Sequence, residues 1–184
     1  MNLKQQSNYL YNIFYSGFPG AGDWLVLDEI GCCLREKILL LKKDRLIFNR
    51  EDFFGFVEEV KATDGLGNEE KKHMALKNLA SRLLDKLNFT PRQENYFMGL
   101  HPDIISSDFS WVIECGTTDP SVVFWYLKSK DVEKVSILPY LFAKDKHFSL
   151  YNFLRGQNFN KFIKFKKEEL KKVFFRAKTR KNTK

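Results

Sequence analysis

Cysteine is scarce in this 184-residue chain: Cys32, Cys33 and Cys115 are the three present, with no C-x-x-C among them. An odd, irregularly spaced set argues against a secreted disulfide scaffold and for a reducing compartment. Histidine is as rare, with three copies far apart in the sequence, so a structural zinc site is not expected. No apolar run reaches the length of a bilayer span. Met1 to Phe14 lacks the long apolar stretch of a secretory leader. These absences together predict a soluble cytoplasmic protein. The phosphate-binding Gly-x-x-x-x-Gly-Lys-Ser/Thr loop is missing too. Phe18-Pro19-Gly20-Ala21-Gly22-Asp23 has no lysine, so Leu25-Val26-Leu27-Asp28-Glu29 is not read as part of an ATPase.

Phenylalanine is abundant, at 18 copies, and points to a large aromatic core. The length suffices for one domain and an appendage. Positive charge is in excess, at +8, and it is concentrated. Lys161 to Lys184 holds eleven Lys/Arg against two Glu, which leaves the rest of the chain close to neutral. Lys161, Lys164, Lys166, Lys167, Lys171, Lys172, Arg176, Lys178, Arg180 and Lys181 are therefore the candidate nucleic-acid contacts, acting by counterion release. An anionic membrane surface would attract the same charge, and a solvated tail would carry it without a partner. The expected partner is nucleic acid, DNA in particular, with no membrane; protein partners or a homodimer stay open.

Leu3 to Tyr15 fits a short helix. Asp23 to Phe48 fits strands at Leu25-Val26-Leu27 and Lys37 to Leu41 with a turn at Lys42 to Arg45, or a helix nearly as well. Asn49 fits an N-cap for a helix through Lys61, broken at Asp64 to Gly67. Between Asn68 and Leu87 apolar residues recur at Leu76, Leu79, Ala80, Leu83, Leu84 and Leu87, the stripe of an amphipathic helix. Strands are predicted at Phe89 to Phe97, Pro102 to Ile105 and Trp111 to Cys115, with a turn at Ser106 to Ser110. Asp119 and Pro120 open a helix to about Lys130, and Val135 to Phe142 reads as a last strand, with Pro139 near an edge or a bulge.

Within this order, Pro102-Asp103 is followed by Glu114 at the end of an apolar strand. Pairing the two strands would bring both carboxylates into one cleft. Carboxylates there can hold Mg²⁺ or Mn²⁺ for phosphodiester hydrolysis. Glu94, on the preceding strand, is the candidate third ligand. Several neighbours have plainer roles. Asp108 serves the turn. His101 is a surface residue. Cys115 points away from Glu114 into the core, and Trp111, Trp125 and Tyr126 are core aromatics.

The helix-strand-strand-strand-helix-strand order with these residues resembles the PD-(D/E)xK, or restriction-endonuclease-like, nuclease superfamily. The resemblance covers a third to a half of the chain. It implies a mixed sheet flanked by helices in an αβββαβ core. Asp103 matches the motif's Asp, Glu114 its Asp/Glu and Cys115 its free position, while Gly116 stands where the lysine belongs. Some members carry that lysine on the following helix, so Lys128 and Lys130 are the catalytic candidates beside Asp103 and Glu114. Loss of such a group costs about two to three orders of magnitude in rate. The implied organisation is an N-terminal extension packed on the core (1–66), a nuclease-like core (67–150) and a basic C-terminal segment (151–184). The expected function is a Mg²⁺- or Mn²⁺-dependent DNA endonuclease. The alternative is an inactive nuclease-fold protein serving as a DNA-binding or structural subunit in a DNA-processing or mobile-element system.

Overall fold

The computed structural model describes residues 3–16, 24–61, 68–140 and 147–166. In chain order the elements are α1 (Leu3–Tyr15), α2 (Trp24–Arg35), β1 (Leu39–Asn49), α3 (Arg50–Lys61), α4 (Asn68–Lys86), β2 (Pro91–Gln93), β3 (Ile104–Ser106), β4 (Trp111–Cys115), α5 (Ser121–Leu127), β5 (Lys134–Leu138) and β6 (His147–Arg155). A helix at 159–166, α6, follows. The strands form one mixed six-stranded sheet in the order β1-β6-β5-β4-β3-β2. β4 and β5 run parallel, joined through α5, and the other neighbours are antiparallel. The chain is thus an α/β protein. From α4 to β5 it follows the predicted helix-strand-strand-strand-helix-strand order, with the three predicted acidic positions on or beside adjacent strands.

Strand alternation divides the core. Val112, Val135, Ile137 and Phe153 face one way and pack with Leu10, Ile13 and Phe14 of α1, Leu27 and Ile30 of α2, and Val123 and Leu127 of α5. Trp111, Ile113, Leu138, Phe148 and Leu150 face the other way, against Phe53 and Phe56 of α3 and Leu76, Leu79 and Leu84 of α4. Ser136 interrupts the second face and is fully paired. It accepts from Trp111 Nε1 at 2.7 Å and donates to Asn152 Oδ1 at 2.6 Å. Asn152 in turn donates to Asp44 at 2.6 Å. Buried polar groups linked in this way avoid the cost of an orphaned donor.

Several expected elements are corrected. Leu25-Val26-Leu27 belongs to a helix, because Leu27, Ile30 and Cys33 recur at three-residue steps along its buried side. Lys42 to Arg45 is no turn but the middle of β1. That edge strand presents exposed charges, a common guard against edge-to-edge pairing. β2 is three residues long and stops before Glu94, whose φ of 47° leaves the strand region. β3 begins at Ile104, after Pro102 and Asp103. α5 ends at Leu127, short of Lys130. Asp119 does accept the Ser121 N–H at 2.8 Å ahead of that helix. β5 ends at Leu138; the remainder of its predicted span runs past Pro139 to Phe142, which lies outside the described residues. β6 had no predicted counterpart. It lies between β1 and β5, so residues 151–155 belong to the sheet rather than to a basic appendage. Among the described residues no helix is long and apolar enough to cross a membrane.

Candidate active site

The β3–β4 pairing matches Ile104 with Ile113, so one step further Asp103 lies opposite Glu114 at the end of the sheet. The two strands exchange bonds there. Asp103 Oδ2 accepts the Cys115 N–H at 2.8 Å, and the Glu114 carboxyl accepts the Asp103 N–H. From one face of the sheet, α4 brings His73 and Lys77, four residues apart and so on one side of the helix. His73 Nε2 is 3.0 Å and Lys77 Nζ 3.2 Å from Asp103 Oδ1, and Lys77 also pairs with Glu94. From the other face, Tyr126 of α5 hydrogen-bonds Glu114. The cluster opens outward. Lys77 is buried, whereas the Glu94 side chain is 65% exposed and that of His73 33%.

The electrostatics follow from this crowding. Burial and the nearby Asp103 charge push Glu114 up to about 8. Burial also raises Asp103, but the His73 hydrogen bond, the Cys115 amide and the His73 and Lys77 charges outweigh it, and the net shift is down. Burial lowers Lys77, yet its bonds and charge contacts to Glu94 and Asp103 turn the net shift upward. Glu94 is held low by its hydrogen bond from Lys77. Tyr126 is raised by burial and by Glu114. Asp103 thus stays ionised while Glu114 keeps its proton at neutral pH, the usual outcome when two carboxylates share a small volume.

No family model, curated protein or solved structure matches the chain.

The site is therefore read from its own geometry. Among the described residues no set of three or more His, Cys, Asp or Glu side chains forms a ready metal cage. Two carboxylates remain, and two suffice for Mg²⁺, which keeps several of its waters. Asp103 Oδ1 is engaged by His73 and Lys77 and Oδ2 by the Cys115 N–H, and a side-chain hydrogen bond joins Asp103 to Glu114. A cation between them would take the place of the shared proton. The donor chemistry fits a hard divalent ion.

Of the residues expected at the site, Asp103, Glu114 and Glu94 come together. Lys128 and Lys130 do not supply the ammonium. Lys128 Nζ lies 5.1 Å over the Trp125 ring, and Lys130 is exposed beyond the end of α5. The ammonium in the cluster belongs to Lys77, on the preceding helix. Its signal was in the sequence: Lys77 falls in line with Ala80 and Leu84 on the apolar stripe of α4, where a charged residue needs a partner. Gly116 has φ +74°, and a Cβ there would lie 2.7 Å from the Tyr140 ring. The turn itself favours glycine, whatever the motif.

The remaining expectations divide. Cys115 is buried opposite Glu114, as strand alternation predicted. Asp108 accepts from Ser106 and Ser110 in its turn. His101 is exposed, 3.1 Å from the Glu94 carbonyl. Trp111 and Tyr126 are core residues, but Trp125 is 43% exposed. Lys161, Lys164 and Lys166 are exposed on α6. Lys167, Lys171, Lys172, Arg176, Lys178, Arg180 and Lys181 lie outside the described residues.

Proposed function

We propose that the chain is a metal-dependent DNA endonuclease of the PD-(D/E)xK type in which Lys77 takes the part of the motif lysine. One observation carries the reading: a buried ammonium 3.2 Å from Asp103, which lies opposite Glu114 across the β3–β4 pair. The αβββαβ order and the parallel β4–β5 pair support it. Asp103 and Glu114 would hold Mg²⁺ or Mn²⁺, with Glu94 at the solvent side. The bound cation would supply Lewis acidity at the phosphate and a water that ionises near neutrality. Tyr126 and the Asp103 amide hold the Glu114 carboxyl in place as its proton leaves. Lys77 presents positive charge where the pentacovalent phosphate accumulates negative charge, a role worth orders of magnitude in a preorganised site. The basic C-terminal segment would hold the DNA backbone without regard to sequence. Free thiols at Cys32, Cys33 and Cys115 agree with a cytoplasmic location.

Gly116, closed under Tyr140, favours a second reading, in which the same fold binds DNA or scaffolds a processing complex without cutting. Cleavage assays separate the two. With Mg²⁺ or Mn²⁺ the protein cuts DNA, and with EDTA it does not. Asp103→Asn and Glu114→Gln abolish cutting, and Lys77→Met lowers the rate by about two to three orders of magnitude. Lys128→Ala and Lys130→Ala stay near wild type. If wild type leaves duplex, single-stranded and branched DNA intact, the non-catalytic reading takes over.

A further inference from the structure

One helix links the acidic cluster to a second feature. α5 turns Tyr126 inward onto Glu114 and Trp125 outward into a groove of about 500 Å³. The groove is walled by Trp125, Phe162 and Leu100 and carries Lys128 and Lys166. Its volume suits a ligand of nucleoside size, since small-molecule sites span about 300–1,000 Å³. The indole is fixed rather than loose, for its Nε1 donates to the Met98 carbonyl at 2.9 Å. Met98 sits in a tight reverse turn in which Phe97 and Leu100 exchange backbone bonds of 2.8 and 3.0 Å. Met98 and Gly99 both have positive φ, at 52° and 86°. That turn is the tip of the loop that begins at Glu94 in the acidic cluster, so one loop borders both sites.

The charges select among occupants. Glu29 lines the groove and is paired with Lys166 at 3.0 Å, which cancels one charge of each sign. Lys128 remains, over the Trp125 ring. Lys161 and Lys164 continue the positive charge along α6. An exposed, anchored indole beside an unpaired lysine can stack an unpaired base and neutralise its phosphate. A duplex offers no such base without unstacking.

We propose that this groove receives an unpaired base of a single-stranded stretch of nucleic acid, next to the phosphodiester held at Asp103 and Glu114. The inference rests on the nuclease reading and deepens it by naming the substrate class. Anisotropy with a labelled oligothymidylate and a duplex of equal length, in EDTA, tests it on the full chain. Wild type binds the single strand more tightly than the duplex. Trp125→Ala weakens single-strand binding by roughly ten-fold or more, the scale of one lost stack, and Trp125→Phe retains most of it. Should Trp125→Ala fail to fold, Ser121→Trp fills the groove from the first residue of α5 and produces the same loss. Equal affinity for the two nucleic acids, or wild-type binding by Trp125→Ala and Ser121→Trp, overturns the proposal. If wild type still cuts DNA in Mn²⁺ while the groove variants bind normally, the nuclease reading stands and this inference falls. If the groove binds and nothing is cut, the groove stands and the nuclease reading falls. If nothing is bound and nothing is cut, both fall.

Discussion

Burying Glu114 beside Asp103 ties a proton to the folded state. The native carboxyl titrates at about 8 against an ordinary 4.5. Between those values the native state binds a proton that the unfolded chain has lost, so stability falls as pH rises. The contribution is full below 4.5 and is lost as pH passes 8. Melting temperatures of wild type, measured against Glu114→Gln from acid to mild alkali without metal, should decline across that interval. A difference that stays flat would mean that Glu114 is ionised in the fold. Residue identity alone could place Asp103 and Glu114, because Pro-Asp and an acid ending an apolar strand are local patterns. Periodicity marks Lys77 as a lysine on the apolar stripe of α4, but its partners depend on how α4 docks on the sheet. Residue identity could not explain Gly116, which reads in sequence as a lost lysine. In the fold it is a left-handed turn pressed on Tyr140, where lysine would be strained.

At the scale of elements, α4 is legible from its strong helical period and β4 from its compact apolar run. α2 is not, since a run such as Leu25-Val26-Leu27 fits a strand or a helix until a partner surface selects one. β6 was overlooked although Phe148, Leu150 and Asn152 alternate with more exposed neighbours. Its Ser149 and Asn152 diluted the apolar signal, and the buried Asn152 is tolerated because Ser136 and Asp44 complete its hydrogen bonds. α1 was legible as a helix but not as a structural necessity. Phe14 is fully buried against Phe153, with ring centroids 5.4 Å apart, and its carbonyl accepts the Thr118 N–H just beyond β4. Phe14→Ala should therefore cost about 3–5 kcal/mol, read from the denaturant midpoint. A cost below about 1 kcal/mol would show that α1 is a dispensable appendage.

At the scale of the whole molecule, the end of the sheet and the loop after β2 carry three acidic residues, and α4 and α5 converge on them from opposite faces, α4 bringing Lys77. The long-range half of this, β1 and β6 closing one side of the sheet, comes from segments far apart in the chain and was not visible in local pattern. On the proposed function, Asp103 and Glu114 exchange the proton between them for a divalent cation. Isothermal titration of the metal-free protein with Mn²⁺ at pH 7, in two buffers of different ionisation enthalpy, measures binding and proton release together. The expected result is saturable binding with release of up to about one proton per ion, since ligands must deprotonate to coordinate, and loss of that binding in Asp103→Asn and Glu114→Gln. Absence of Mn²⁺ binding by wild type, or binding that both variants retain, would contradict it.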